Sequence, residues 1–509
     1  MLLQARTGAS PRARTGRRAA LRALPPEVLI LAGLIAAAAA LRIVTLTGQS
    51  YWLDESQAAH ELGLPFGSML SAWSAAEWNP PLYLILAWPW AHVFGTGEGA
   101  LRSLSALLGI GLVPLLYACG RELVSRQAGL VAAALAAVNP MMIWYSQEAR
   151  EYMLLLVLCA AALLFFARAL RAGSTRDLVW WAVFSALALA TLYFAGFLIA
   201  AEGLALLWRL RSRAAAIACA AQVAAFAPLI PHLLPRLSQP ALFITETPLG
   251  RRIQEVPVAF ALNTLDNTTG ASWGLLGAAA LGAIVIALLV AAAGGTELRG
   301  AGIAAALAAF ALLAPLAFAL AGHDDYIARG LMPAWIPLAI VVGAACTARR
   351  ARWPGAALAA VLLALFIWGQ EKIESNPLLY QRPDWRGVAA ALGRPTGARA
   401  IATYQGQFAA GPLSVYLPRV AWAGPGSSPW TGTATVAELD VIANAPAQPG
   451  PPKSGYRVIS STVVDGYRVV RYALAAPVSY SGSQLWALAQ TLLPVPGPQP
   501  DVIIQRATD

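Results

Sequence analysis

The feature that most restricts this chain is a series of long apolar runs, at approximately residues 27–47, 99–119, 127–145, 152–170, 178–194, 196–210, 214–231, 273–293, 301–321, 330–347 and 354–369. A helix needs about 20 apolar residues to cross roughly 30 Å of hydrocarbon. Inside lipid the backbone polar groups find partners only within a helix or a closed barrel. The expectation is a polytopic α-helical membrane protein with about eleven spans. Charged residues make up only 12% of the chain, against about 25% in soluble domains. The formal net charge of +11 raises nucleic acid as a partner, but the arginines stand in short clusters between apolar runs, as orientation signals do. Cys119, Cys159, Cys219 and Cys346 lie within or at the edges of those runs, without metal-ligand spacing.

Topology turns on the segment 80–94, which is short, carries Pro89 in its middle and holds Tyr83, Trp88, Trp90 and His92. If it lies flat in the outer interface, the arginine-bearing loops at 121–126, 168–176, 209–213 and 349–352 fall on the side of the N-terminal arginines, Arg6 to Arg22. The positive-inside rule then holds throughout. If it spans, most later loops break the rule. The expected placement is the cytoplasmic (inner) membrane, with the N-terminus cytoplasmic and the C-terminus outside. The polar stretches around 54, 77–79, 144–152, 193–194, 232–272 and 323–329 then share the outer face.

After about residue 370 the apolar runs stop, and proline, glycine and serine become frequent. Alternating segments at 399–404, 456–464, 467–474 and 502–505 read as strands, and 384–392 and 408–417 as short helices. The domains are therefore a basic tail (1–26), a transmembrane domain (27–369) and a small extracytoplasmic α/β domain (370–509). The proline-rich tracts at 445–452 and 494–500 read as loops. No inverted repeat of the transporter kind is evident.

The stretch Ser50-Tyr51-Trp52-Leu53-Asp54-Glu55 places two carboxylates beside two aromatics just where the first span ends. Read with Leu41-Arg42, Asn79-Pro80-Pro81-Leu82-Tyr83, Leu101-Arg102-Ser103-Leu104, Trp144-Tyr145-Ser146-Gln147-Glu148-Ala149-Arg150-Glu151-Tyr152, Ala328-Arg329 and Arg382-Pro383-Asp384-Trp385-Arg386, it resembles bacterial glycosyltransferase family 39. That family stands with the protein O-mannosyltransferases, aminoarabinose transferases and RgtA/B/C/D-like enzymes of the GT-C fold. The order and spacing of these matches over residues 40–390 carry the resemblance. Two positions depart from it: Asn79 stands where the family usually has His, and Leu192 where many members have His before a Tyr-Phe turn. Both bear on substrate choice more than on reaction class.

The resemblance implies transfer of a sugar from a polyprenyl-phosphate donor to an acceptor hydroxyl on a glycan, lipid or protein, at the outer face and with inversion. Asp54 takes the family's position for the general base, a role worth about 10² to 10⁴ in rate, with Glu55 beside it orienting the acceptor or Asp54. A lipid-phosphate leaving group needs fixed cations, for which the planar guanidinium fork is suited. Arg42, Arg150 and Arg329 are the candidates, with Asn79, Glu148, Tyr152 and His323 lining the donor site. No cofactor is required. His323, Asp324 and Asp325 are a set a divalent metal could use, though they read first as an ordinary polar loop. Trp52 and Trp144 are placed to stack on sugar faces. The competing readings are a lipid or glycan transporter, with Arg42 and the outer acids lining its route, and a catalytically degenerate relative acting in assembly.

Overall fold

The structure is a computed structural model, and it describes residues 25–77, 79–237, 242–263, 271–404, 406–423, 432–450, 455–493 and 500–506. The N-terminal arginine cluster, Trp78, the Phe243 side chain and most of the second proline-rich tract lie outside the described residues. Among those described, seven helices are long and apolar enough to cross a membrane: Pro26–Ile43, Glu98–Leu123, Tyr152–Ala172, Arg213–Pro235, Gly274–Ala292, Gly295–Leu320 and Arg352–Ser375. Counted as one, the bent pair Arg126–Val138 and Pro140–Ser146, at 59° to each other, would make an eighth. The chain is a multi-pass membrane protein.

The expected number of about eleven is reached only by counting helices shorter than a full crossing. Thr175–Leu189, Ala195–Leu210 and Trp335–Cys346 have 15, 16 and 12 residues. At 1.5 Å per residue each falls short of the hydrocarbon thickness. The disputed segment 80–94 is a helix of 13 residues, Leu82–Phe94. It is about 20 Å long, too short to cross by itself, and its Leu82 N–H donates to the Ala190 carbonyl at 3.1 Å.

Local sequence explains several boundaries. Ser125, Ser174 and Ser212 each cap a helix, their hydroxyls accepting from the N–H groups of Ala128, Asp177 and Ala215. Small residues let helices meet backbone to backbone: a Cβ at Gly120 would stand 2.6 Å from the Gly129 Cα.

Contacts sort the loops to two ends of the bundle. At one end Glu27 pairs with Arg126, Glu122 with Arg121, Arg168 and Arg171, and Glu297 with Arg349. At the other end the loop after the first helix meets residues 147–151, 329 and 382.

The C-terminal domain is a six-stranded mixed sheet ordered β2-β6-β1-β3-β5-β4. Its strands are β1 Arg399–Thr403, β2 Val420–Ala423, β3 Thr433–Asn444, β4 Tyr456–Val464, β5 Tyr467–Ser481 and β6 Asp501–Gln505. β1 and β3 pair in parallel, and the helix Gln407–Tyr416 lies between them in the chain. One face packs on that helix and on Trp385–Leu392, the other on the helix Gly482–Leu492. The expected strands and helices are present within a residue or two, save that β5 runs on to Ser481 and that β2, β3 and the last helix were not expected.

Candidate active site

The site is built where the first span ends. Trp52 enters the helix Leu53–Leu62 in extended conformation, so Asp54 and Glu55 fall in its first turn, where the N-terminal peptide dipoles favour acids. Facing it is the break in the helix pair. Pro140 has no N–H to give the Ala136 carbonyl four residues earlier, and the Asn139 side chain caps the new helix through Met142 N–H at 3.1 Å. The break leaves backbone carbonyls without partners, which is costly in a dry interior.

Arg42 supplies those partners. Its guanidinium donates to the carbonyls of Ala136 (2.9 Å), Ala137 (2.8 Å) and Ala38 (3.2 Å) and to the Ser146 hydroxyl (3.0 Å). The side chain is 0% exposed. Gly109 makes the room: a Cβ there would meet Ser146 Oγ at 2.1 Å and Arg42 Nε at 3.1 Å. Gln147 completes the tie, donating to the Arg42 carbonyl and to Thr45 Oγ1. The expectation that Arg42 grips lipid phosphate is therefore corrected, because its donors are spent on the Ala136 and Ala137 carbonyls at the helix break, on the Ala38 carbonyl and on the Ser146 hydroxyl.

Glu55 is likewise enclosed, at 0% exposure. Arg102 grips it by two bonds of 2.7 Å, Arg382 donates at 2.9 Å and the Ala149 N–H at 2.9 Å. Burial would raise this carboxyl, but the two guanidiniums outweigh it and hold it below the usual range. An acceptor cannot reach such a group, so Glu55 organises arginines and the 147–151 turn rather than orienting substrate.

Asp54 lies on the open side. Its Oδ2 stands 3.8 Å from Arg329 Nη1, and the two side chains keep 27% and 25% of their surface exposed. Beside them are Tyr145 and Tyr152, whose rings lie 4.6 Å apart. Glu148 adjoins them, bonded to Arg382 Nη2 at 2.5 Å through one oxygen, while the other oxygen is buried with no hydrogen-bond partner. Burial lifts the Glu148 carboxyl to about 7: Arg382 opposes the rise, and Glu55 and Asp54 add to it. Asp54, Glu148, Tyr152 and Arg329 thus come together as the sequence suggested.

The other candidates form a neighbouring set. Arg150 stands 3.0 Å from both Glu77 and Glu151, and Asn79 Nδ2 donates to Glu151 at 2.7 Å. Two acids thereby offset the charge of Arg150, which weakens it as a phosphate ligand. His323 is exposed, while Asp324 is bound by both Nη atoms of Arg252. Among the described residues no group of three His, Cys, Asp or Glu could hold a metal ion.

Arg382 was missed as a site residue, although it opens the quoted Arg-Pro-Asp-Trp-Arg run. It bridges Glu55 and Glu148, with its guanidinium 4.7 Å from the Trp144 ring and 5.7 Å from that of Trp52. Each of those indoles thus meets a cation, where sugar stacking had been expected. Around it the C-terminal domain docks: Asp384 accepts from Ser50 Oγ at 3.0 Å, Arg386 pairs with Glu98 at 3.1 Å, and Tyr416 bonds both Glu98 and the Tyr51 N–H.

Residues 79–234 match the family described as dolichyl-phosphate-mannose-protein mannosyltransferase. ArnT from Cupriavidus metallidurans in the apo state aligns with 90% of this chain and 98% of its own, at 15% identity and a TM-score of 0.51. The chain has the GT-C fold. The same ArnT bound to undecaprenyl phosphate aligns with 86% of this chain and 97% of its own, at 13% identity and a TM-score of 0.50. The protein O-mannosyltransferase Pmt1-Pmt2 complex of S. cerevisiae, bound to its sugar donor, aligns with 42% of this chain at 21% identity and a TM-score of 0.33, and the chain spans about a third (34%) of that protein. No curated protein sequence matches significantly. Over the GT-C architecture, the break at Asn139-Pro140 sets residues 144–152 against the Asp54 loop.

Proposed function

We propose that the protein is a membrane glycosyltransferase that moves a monosaccharide from a polyprenyl-phosphate donor to an acceptor hydroxyl, at the outer face of the cytoplasmic membrane and with inversion. The observation that carries this reading is the Asp54–Arg329 pair, a carboxylate and a guanidinium 3.8 Å apart at a part-open site. Inverting transfer asks for such a pair. The carboxylate takes the acceptor proton as the hydroxyl oxygen attacks the anomeric carbon, and the bond from that carbon to the phosphate oxygen breaks on the opposite face. The guanidinium meets the charge that develops on the lipid phosphate. ArnT, which shares the fold, binds undecaprenyl phosphate, and this supports a carrier of that class here. Glu148 and Tyr152 line the sugar side, and Asn79 fixes Glu151 behind them.

The test is a transfer assay with undecaprenyl-phosphate-linked sugars on wild type and Asp54→Asn. The variant should lose at least about 10²-fold in turnover while still binding undecaprenyl phosphate. Full turnover by Asp54→Asn would remove the aspartate from this role.

A further inference from the structure

The last candidate span, Arg352–Ser375, ends seven residues before Arg382, and the helix Trp385–Leu392, which packs on the sheet, starts three residues after it. This junction carries the cation that enters the membrane domain's acidic cluster. We propose that Arg382 is a positioning residue through which docking of the C-terminal domain completes the Asp54 site, by holding Glu148 and the Glu55 helix in one arrangement. The inference rests on the reading of Asp54 and Arg329 as a transferase site.

Three observations carry it. The Arg382 guanidinium is 8% exposed and joins Glu55 at 2.9 Å with Glu148 at 2.5 Å, two acids 93 positions apart in the chain, one in the first turn of a helix and one in a turn. Its own backbone is also tied, the N–H donating to Gln49 Oε1 at 3.1 Å, so the segment cannot slide independently of the loop that precedes Asp54. The bonds that surround it run from Asp384, Arg386 and Tyr416 of the C-terminal domain to residues 47–51 of that loop and to Glu98 at the start of the helix Glu98–Leu123. Arg102 alone cannot substitute, since it reaches Glu55 and the backbone of residues 46–50 but no oxygen of Glu148. Without Arg382, Glu148 would face Glu55 and Asp54 with Arg329 as its remaining nearby cation, and Tyr145 and Tyr152 beside it. Like charges would then drive it away from its place or hold it protonated.

Misplacing a reacting group by about 1 Å costs on the order of 10²-fold in rate, so a positioning role is read in turnover more than in binding. Full-length Arg382→Ala should lose about 10- to 100-fold in kcat, with KM for the lipid-linked donor and affinity for undecaprenyl phosphate changed less than about threefold. Its pH profile should move to higher pH as Glu148 loses its counter-ion, and Arg382→Lys should recover part of both effects. Independently of turnover, amide exchange in residues 47–57 and 147–151 should quicken about tenfold. A purely structural role would instead lower Tm and slow turnover without moving the pH profile, which overturns the proposal; so would unchanged exchange in both loops. If wild type transfers nothing from any donor tried, the functional reading falls, and the exchange measurement still decides whether Arg382 couples the domain to the loops.

Discussion

Successive residues of a helix differ by about 100° in direction, which is why Asp54 and Glu55 face different surroundings although they are adjacent. Glu55 turns inward to Arg102 and Arg382, and Asp54 turns to Arg329 and the opening. Arg42 repeats the lesson, because a lone cation within an apolar run is consistent with either a ligand site or a structural clamp. Arg42→Ala should leave the Ala136 and Ala137 carbonyls buried and unpaired, at about 1–3 kcal/mol each, so the expected result is a large drop in Tm. An unchanged melting temperature would contradict the clamp. Glu148 gives a pH prediction with a definite sign. Its folded value of about 7 lies above the ordinary glutamate value of 4.5, so between these pH values the folded protein holds a proton that the unfolded chain has released. Stability from this group is therefore present below about 4.5 and declines as pH rises toward 7. Glu148→Gln should flatten that slope, as read from Tm against pH.

At the scale of elements, the broken helix is the device that shapes the site. Asn139 holds it in two directions, capping Met142 N–H and donating through Nδ2 to the Phe260 carbonyl at 2.9 Å. Asn139→Ala should cost roughly 0.5–2 kcal/mol for the cap, and more for the Phe260 carbonyl left to the Trp335 indole alone. Turnover should fall beyond what the loss of stability explains, since residues 144–152 hang from the second half. A variant with normal turnover and reduced Tm would show the break to be mere packing. The Asn-Pro step is visible in the sequence, but residues 127–145 read there as one apolar run, because a bend that leaves composition unchanged has no hydropathy signal.

At the scale of the molecule, the two ends of the bundle differ in kind: arginine-rich loops at one, the acidic and aromatic cluster with the C-terminal domain at the other. Under the positive-inside rule, a reporter fused at the C-terminus should be active only outside the cytoplasm, and activity inside would overturn the orientation. Arg386→Ala, at the docking surface, should raise amide exchange across residues 47–51 with little effect on Tm, since Arg386 is 39% exposed and partly exposed pairs contribute little stability.

Apolar runs of helical length made the membrane class legible from the chain alone, since lipid admits few backbone solutions. Short runs rich in Val, Ile and Tyr made most of the small sheet legible, although β1 and β6 are buried along their whole length, with helices on both faces of the sheet, and so show no alternation of burial. The order of short motifs also pointed to Asp54, Glu148, Tyr152 and Arg329, which the fold brings near one another. The division of labour among the arginines was decided only in three dimensions. Arg42, Arg102, Arg150, Arg329 and Arg382 are chemically the same, and what separates clamp from candidate ligand is which carbonyls and carboxylates the tertiary packing brings within about 3 Å of each.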